Sequence, residues 1–206
     1  TPVSELAAGE QLFEEMELGG IVNFIAFRQA VAGYNRIKEK SKPILTLIDF
    51  SKPSTEKRFF VFDMEKKQLL FSSVVSHGRN SGGNYATSFS NQNGSYKSSL
   101  GFYLTENTYQ GGNGYSLILN GLEKGINDKA KERSIVVHGA SYANPTVAAS
   151  GRLGRSLGCP ALPTKLAKPI INTIKDGSVM FIYANNSSYL AQSDILKNVS
   201  APMPAL

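Results

Sequence analysis

The spacing of apolar residues changes at Pro43, and that change decides most of what this chain can become. Before it, Ile21, Phe24, Phe27, Val31, Tyr34 and Ile37 recur at steps of three and four. Such spacing lines one face of a helix, and the stripe points to a helix that stops near Pro43. A shorter helix is expected upstream, with Phe13, Met16 and Leu18 packed on that face across a break at Gly19-Gly20. After Pro43 the chain becomes a series of short runs rich in branched and aromatic residues, separated by Gly, Ser, Asn and Pro. Residues 44–50, 58–63 and 69–76 read as an antiparallel meander, and 101–105, 115–120, 134–137 and 178–183 as further strands. Residues 163–174 suggest a helix interrupted by Pro169. The expected class is mainly β, with 1–42 as a helical segment packed on a domain spanning 43–206.

Composition narrows the setting. With 206 residues and 41% hydrophobic content, the chain is long enough for one large domain with a real core. Only 18% of residues are charged, while Gly, Ser, Asn and Tyr are plentiful, as in strand-and-turn proteins of the secretory or periplasmic kind. The net charge of +6 favours an anionic partner. The lysines and arginines are scattered, with no dense tract, so nucleic acid is not expected. No apolar run approaches the ~20 residues that span a bilayer. Asn-x-Ser sequons at Asn93, Asn185, Asn186 and Asn198 are chance matches in a chain rich in both residues, and the tail 202–204 is expected to be poorly ordered.

The single cysteine, Cys159, cannot form an internal disulfide. A free thiol is by itself most often an inert core residue. It becomes a candidate nucleophile only beside a group that takes its proton, because a thiol of pKa about 8.5 is mostly protonated at neutral pH. His138 is the best placed such group, at the end of the apolar run Val136-Val137-His138-Gly139. The segment between them, 140–154, is a loop rich in Gly, Ala and Ser that can fold back and bring the two together. Gly158 permits a tight turn, and the amides of Gly158 and Cys159 are the natural oxyanion donors. Arg152 and Arg155 flank the nucleophile and can fork a carboxylate. Tyr142, Tyr115 and Asn113 are candidates for a substrate wall. The long polar stretch 78–99 has the length of a functional loop.

His138-Gly139, the Gly- and Arg-containing loop and Ser156-x-Gly158-Cys159 resemble the signature of the L,D-transpeptidase catalytic domain family. Val74-Val75-Ser76-His77-Gly78 and Ser98-Ser99-Leu100-Gly101 resemble upstream family segments, so that the likeness covers residues 44–183. The run Gly151 to Ala161, with Ser156-x-Gly158-Cys159-Pro160-Ala161, is similar to a divergent branch. Leu157 stands where the common motif has a histidine, and Pro160 where it has an apolar residue.

The resemblance implies a β-sandwich or barrel-like fold and a peptidoglycan enzyme of the bacterial periplasm or envelope, exported with a targeting segment absent from this chain. It implies that Cys159 attacks the carbonyl preceding a terminal D-alanine of a stem tetrapeptide, forming a thioester. His138 serves as base, oriented by the Gly139 carbonyl, and β-lactams of the carbapenem class add to the thiol. His77 is expected to compensate for the missing motif histidine with a hydrogen bond, beside Ser156 in the substrate site. No cofactor is expected, and a metal on His77, His138 and Cys159 matches no zinc spacing. The partners expected are peptidoglycan stem peptides, acting on a monomer without a membrane span. Trimming by an L,D-carboxypeptidase and a non-catalytic wall-binding protein are the alternatives.

Overall fold

The structure, a computed structural model, describes residues 5–199, so the tail 202–204 lies outside the described residues. Helix α1 (Glu5–Glu15) and helix α2 (Phe24–Arg36) come first. The second helix is shorter than its apolar stripe suggests. Asn23 caps it by accepting from the amides of Ile25 at 3.0 Å and Ala26 at 3.2 Å, which satisfies orphan donors and fixes the start. Ile21 therefore precedes the helix and Phe24 opens it, both exposed. The buried face is instead Ala26, Phe27, Ala30, Val31 and Tyr34. Phe13 of α1 meets Phe27 at a ring distance of 5.9 Å, and Phe27 meets Phe62 at 5.1 Å.

Eight strands form one sheet: β1 (Ile44–Asp49), β2 (Phe59–Asp63), β3 (Gln68–Ser73), β4 (Gly101–Gly111), β5 (Gly114–Gly121), β6 (Val136–Gly139), β7 (Ala161–Leu162) and β8 (Val179–Tyr183). Their order is β3-β2-β1-β8-β4-β5-β6-β7. The first three strands make the expected antiparallel meander. Every residue of β1 and β8 is buried, as suits a parallel pair at the centre of a sheet. Strand β4 runs six residues past the expected end at Thr105. Its extension, Glu106 to Gly111, is polar and half-exposed, with no alternation to mark it as strand.

The sheet is nearly closed into a barrel, and the closure builds the site. Leaving β3 at one edge, the chain bridges Ser76 to Ala161 and Gly78 to Ser156 at the other edge. Helix α4 (Thr164–Ile174) packs beneath β6. It runs unbroken through Pro169, because Ala167, Ile170, Ile171 and Ile174 bury a full stripe. That burial, at roughly 1.5–3 kcal/mol per large side chain, outweighs the ~3 kcal/mol of an interior proline. The short helices α3 (Pro145–Ala148) and α5 (Ser187–Gln192) complete the fold. No helix among the described residues is long and apolar enough to cross a membrane.

Candidate active site

Strand β6 carries His138 near its end and is flanked by β5 on one side and β7 on the other. The imidazole is 3% exposed, and its Nδ1 lies 3.0 Å from the carbonyl oxygen of Gly139. A carbonyl only accepts, so Nδ1 carries the proton and Nε2 keeps its lone pair. Gly139 is held by packing: a Cβ there would stand 2.8 Å from Cβ of Ala167 in α4. The carbonyl that orients His138 is thus anchored to the helix below.

Cys159 is 9% exposed at the β7 side of the same strand. Its Sγ accepts from the Val136 amide at 3.4 Å and donates to the Ser134 carbonyl at 3.5 Å. Val136 and His138 are two residues apart, about 7 Å along the strand and with side chains on one face. Among the described residues no hydrogen bond joins Sγ to the imidazole. Burial pushes the thiol above its ordinary pKa, opposed by the Val136 amide and the Arg133 charge.

The turn before the thiol is ordered by Ser156. Its hydroxyl donates to the Cys159 carbonyl at 2.6 Å and accepts from the Gly158 amide at 3.1 Å. The Gly158 amide is therefore occupied, and of the expected oxyanion pair only the Cys159 amide has no acceptor among the described residues. Gly158 has φ +129°, and a Cβ there would meet Ile135 Cδ1 at 2.9 Å and the Lys97 carbonyl at 3.0 Å. Only glycine fits that conformation and space. Leu157, in the place of the common motif's histidine, is 57% exposed.

The other candidates separate into those brought to the thiol and those that are not. Tyr142, in a 3-10 turn (Ser141–Ala143), has its phenol pushed up to about 12 by burial and then by the nearby Cys159. Arg155 donates through Nη1 to the carbonyls of Arg79 and Gly82, both at 3.1 Å, tying the long loop to the turn before Cys159. Arg152 buries an Nη1 without a partner among the described residues. Tyr115 lies elsewhere. Its neighbour Ser116 pairs with His138, so alternation sends Tyr115 to the opposite face, where its hydroxyl donates to Asn172 Oδ1 on α4 at 2.6 Å. Asn113 is exposed in the turn joining β4 and β5.

His77 is also not a substrate-side group. It is 1% exposed, with Nε2–H donating to the Gly82 carbonyl at 3.2 Å and Nδ1 accepting from Arg58 Nη2 at 2.9 Å. Burial and then the Arg58 charge push it down to about 4. Arg58 is itself wholly buried. It donates through Nε and Nη2 to the Val75 carbonyl and through Nη1 to that of Lys52, and it lies over the Phe50 ring at 4.8 Å. The pair lies beside the segment whose Ser76 and Gly78 bridge to Ala161 and Ser156.

This pairing makes stability acid-sensitive. An unfolded histidine titrates near 6.5, so between about pH 6.5 and 4 the unfolded chain binds the extra proton and acid favours it. Denaturant unfolding is expected to show a loss of about 2 kcal/mol from this group between pH 7 and pH 5. In His77→Gln that increment should vanish; an equally steep pH dependence in the variant would assign it elsewhere.

Sequence reasoning passed over Arg133, which sits in the scattered basic stretch 129–133 with nothing to mark it. It also passed over an open groove of about 460 Å³ lined by Glu106, Tyr109, Ile118, Lys131 and residues 134–136. Its lining includes Ser134 and Val136, which hold the thiol, and the Lys131–Glu106 ion pair, 2.6 Å apart.

Residues 20–183 match the L,D-transpeptidase catalytic domain family, and the chain belongs to it. No curated protein matches it significantly. Among solved structures it is similar to L,D-transpeptidase 3 from Mycobacterium tuberculosis, with 14% identity and a TM-score of 0.45 over 69% of this chain and 61% of that one. It is also similar to an L,D-transpeptidase from Mycobacterium smegmatis, with 13% identity and a TM-score of 0.42 over 69% and 59%. A third is the helical cell shape determining protein from Campylobacter jejuni, with 15% identity and a TM-score of 0.47 over 77% and 55%. The chain thus spans between 55% and 61% of these three proteins' lengths.

Proposed function

We propose that this protein is a cysteine-dependent L,D-transpeptidase acting on peptidoglycan stem tetrapeptides in the bacterial periplasm or envelope. One observation carries the reading. A strand-end imidazole has Nδ1 tied to its own neighbour's carbonyl, leaving Nε2 free, on the strand whose Val136 amide holds the thiol. In the reaction, Cys159 Sγ bonds to the carbonyl carbon preceding the terminal D-alanine while the thiol proton passes to His138 Nε2. The oxyanion faces the free Cys159 amide. The carbon–nitrogen bond then breaks, the imidazolium protonates the leaving D-alanine amine, and a thioester remains. An acceptor amine attacks it, the carbon–sulfur bond breaks, and the departing sulfur recovers a proton through His138. Water in place of the amine gives carboxypeptidase trimming. Arg152 and Tyr142 form the substrate-facing rim in this reading, with Ser156 holding the turn.

Muropeptide digestion tests it. Tetrapeptide with an amine acceptor should yield the cross-linked product and free D-alanine, and a carbapenem should add its mass to the intact protein. Tripeptide alone, formed whether or not acceptor is present, would establish trimming instead. Unmodified protein and unconverted tetrapeptide would overturn the enzyme.

A further inference from the structure

Among the described residues the thiol has no bond to the imidazole, and burial favours its proton, so the nucleophile needs another source of bias towards the anion. Arg133 stands where such a bias is supplied. The next residue, Ser134, is held at φ +56°, a left-handed conformation rarely adopted by a non-glycine residue. The turn is closed by Ser134 N–H on the Lys131 carbonyl at 3.0 Å and Ile135 N–H on that of Ala130 at 2.9 Å. This geometry directs the Ser134 carbonyl to Cys159 Sγ while Arg133 reaches the loop over the nucleophile turn.

Four bonds hold the guanidinium there. Nη1 donates to the Ser90 carbonyl at 2.9 Å and Ser99 Oγ at 2.8 Å; Nη2 donates to Ser95 Oγ at 3.1 Å and the Lys97 carbonyl at 2.8 Å. All four partners are uncharged, and no described carboxylate forms an ion pair with Arg133. Its Nη2 lies 3.4 Å from where a Cβ on Gly158 would be, against the residue preceding the nucleophile. We propose that Arg133 is a positioning residue that holds an unneutralised positive charge beside the nucleophile turn and so stabilises the Cys159 thiolate, a task the motif position Leu157 cannot perform.

Arg133 and the Tyr142 phenol are the charged or titratable groups coupled to the thiol, and the His138 imidazole stands two residues along β6 from Val136, whose amide the sulfur accepts from. Arg133 is faced in turn by the buried Tyr103 phenol and by Cys159. Of these, Arg133 is the permanent cation at neutral pH, and its charge opposes the burial that raises the thiol. The proposal rests on Cys159 as nucleophile, but its test needs no cell-wall substrate.

Because the chain has one cysteine, iodoacetamide alkylation of the full protein reads this site alone. The rate should be followed from pH 6 to 10 for wild type, Arg133→Gln, Arg133→Lys and the Ser95→Ala/Ser99→Ala double variant. Arg133→Gln is expected to move the midpoint up by about one unit and to slow alkylation about tenfold below it. Arg133→Lys keeps the charge and should stay within about 0.3 unit, whereas the double variant removes two of the four bonds that hold the guanidinium and should raise the midpoint by less than Arg133→Gln does. An unmoved midpoint in Arg133→Gln overturns the proposal, as does a full-unit shift in Arg133→Lys or a larger shift in the double variant than in Arg133→Gln. Should Arg133→Gln fail to fold, Arg133→Met, of similar length and likewise uncharged, is read against the same limits. A shifted midpoint with no carbapenem adduct would leave Arg133's role standing and remove the enzyme function.

Discussion

Cys159→Ala is expected to abolish acyl transfer, lowering turnover by about 10⁴-fold or more, since the proposed covalent route has no other nucleophile. The fold should survive. The sulfur's hydrogen bonds among the described residues are long, at 3.4 and 3.5 Å, and removing it from a buried site costs about 1 kcal/mol. His138→Ala should fall about 10²- to 10⁴-fold while still taking up a carbapenem slowly, because the base accelerates attack but does not form the bond. The double variant should be no worse than Cys159→Ala alone, as expected of residues acting as one unit. Turnover within tenfold of wild type in Cys159→Ala, with the melting transition unchanged, would remove the cysteine from the mechanism.

Arg58→Met should be the most damaging substitution for stability, costing about 4 kcal/mol in denaturant unfolding. The methionine fills similar volume and escapes the desolvation cost of a buried cation, which normally makes such exchanges tolerable. Here the partners stay behind. The carbonyls of Val75 and Lys52 and the Nδ1 of His77 lose their donor inside the protein, at ~1–3 kcal/mol for each group left unsatisfied. Val75 and His77 lead directly into the segment bridging to Ala161 and Ser156, so acyl transfer should weaken at temperatures where the variant remains folded. A loss below about 1 kcal/mol would mean that water or a rearranged loop replaces the guanidinium.

The sequence exposed those parts of the fold whose burial is regular. Strands β1, β2 and β8 are dense in branched and aromatic residues because both their faces are covered, and the meander followed from their turns. Strand β7 has two residues, too few for any period, yet it sets the register of Cys159 against His138. The polar end of β4 was hidden because its stability comes from backbone pairing with β5. At the site, Cys159 and His138 stood out by residue type and by family likeness. His77 was expected beside the substrate and is instead buried against Arg58, because a histidine in a polar loop reads the same whether it meets solvent or a buried arginine nineteen residues upstream. Arg133 was illegible for a related reason: its partners are backbone carbonyls and serines 34 to 43 residues away, and its charge looks like any other near a turn.

The order of strands in the sheet bears on how the chain is made. Of the eight described strands, β8 comes last in the sequence and yet lies between β1 and β4, two of the earlier ones. Until residue 183 has emerged, the meander and the hairpin each present an unpaired edge of the kind that recruits other chains. The sheet cannot be completed progressively from its N-terminus. A protein of this design should fold slowly, after synthesis, and with its greatest risk of aggregation just before its final strand is inserted.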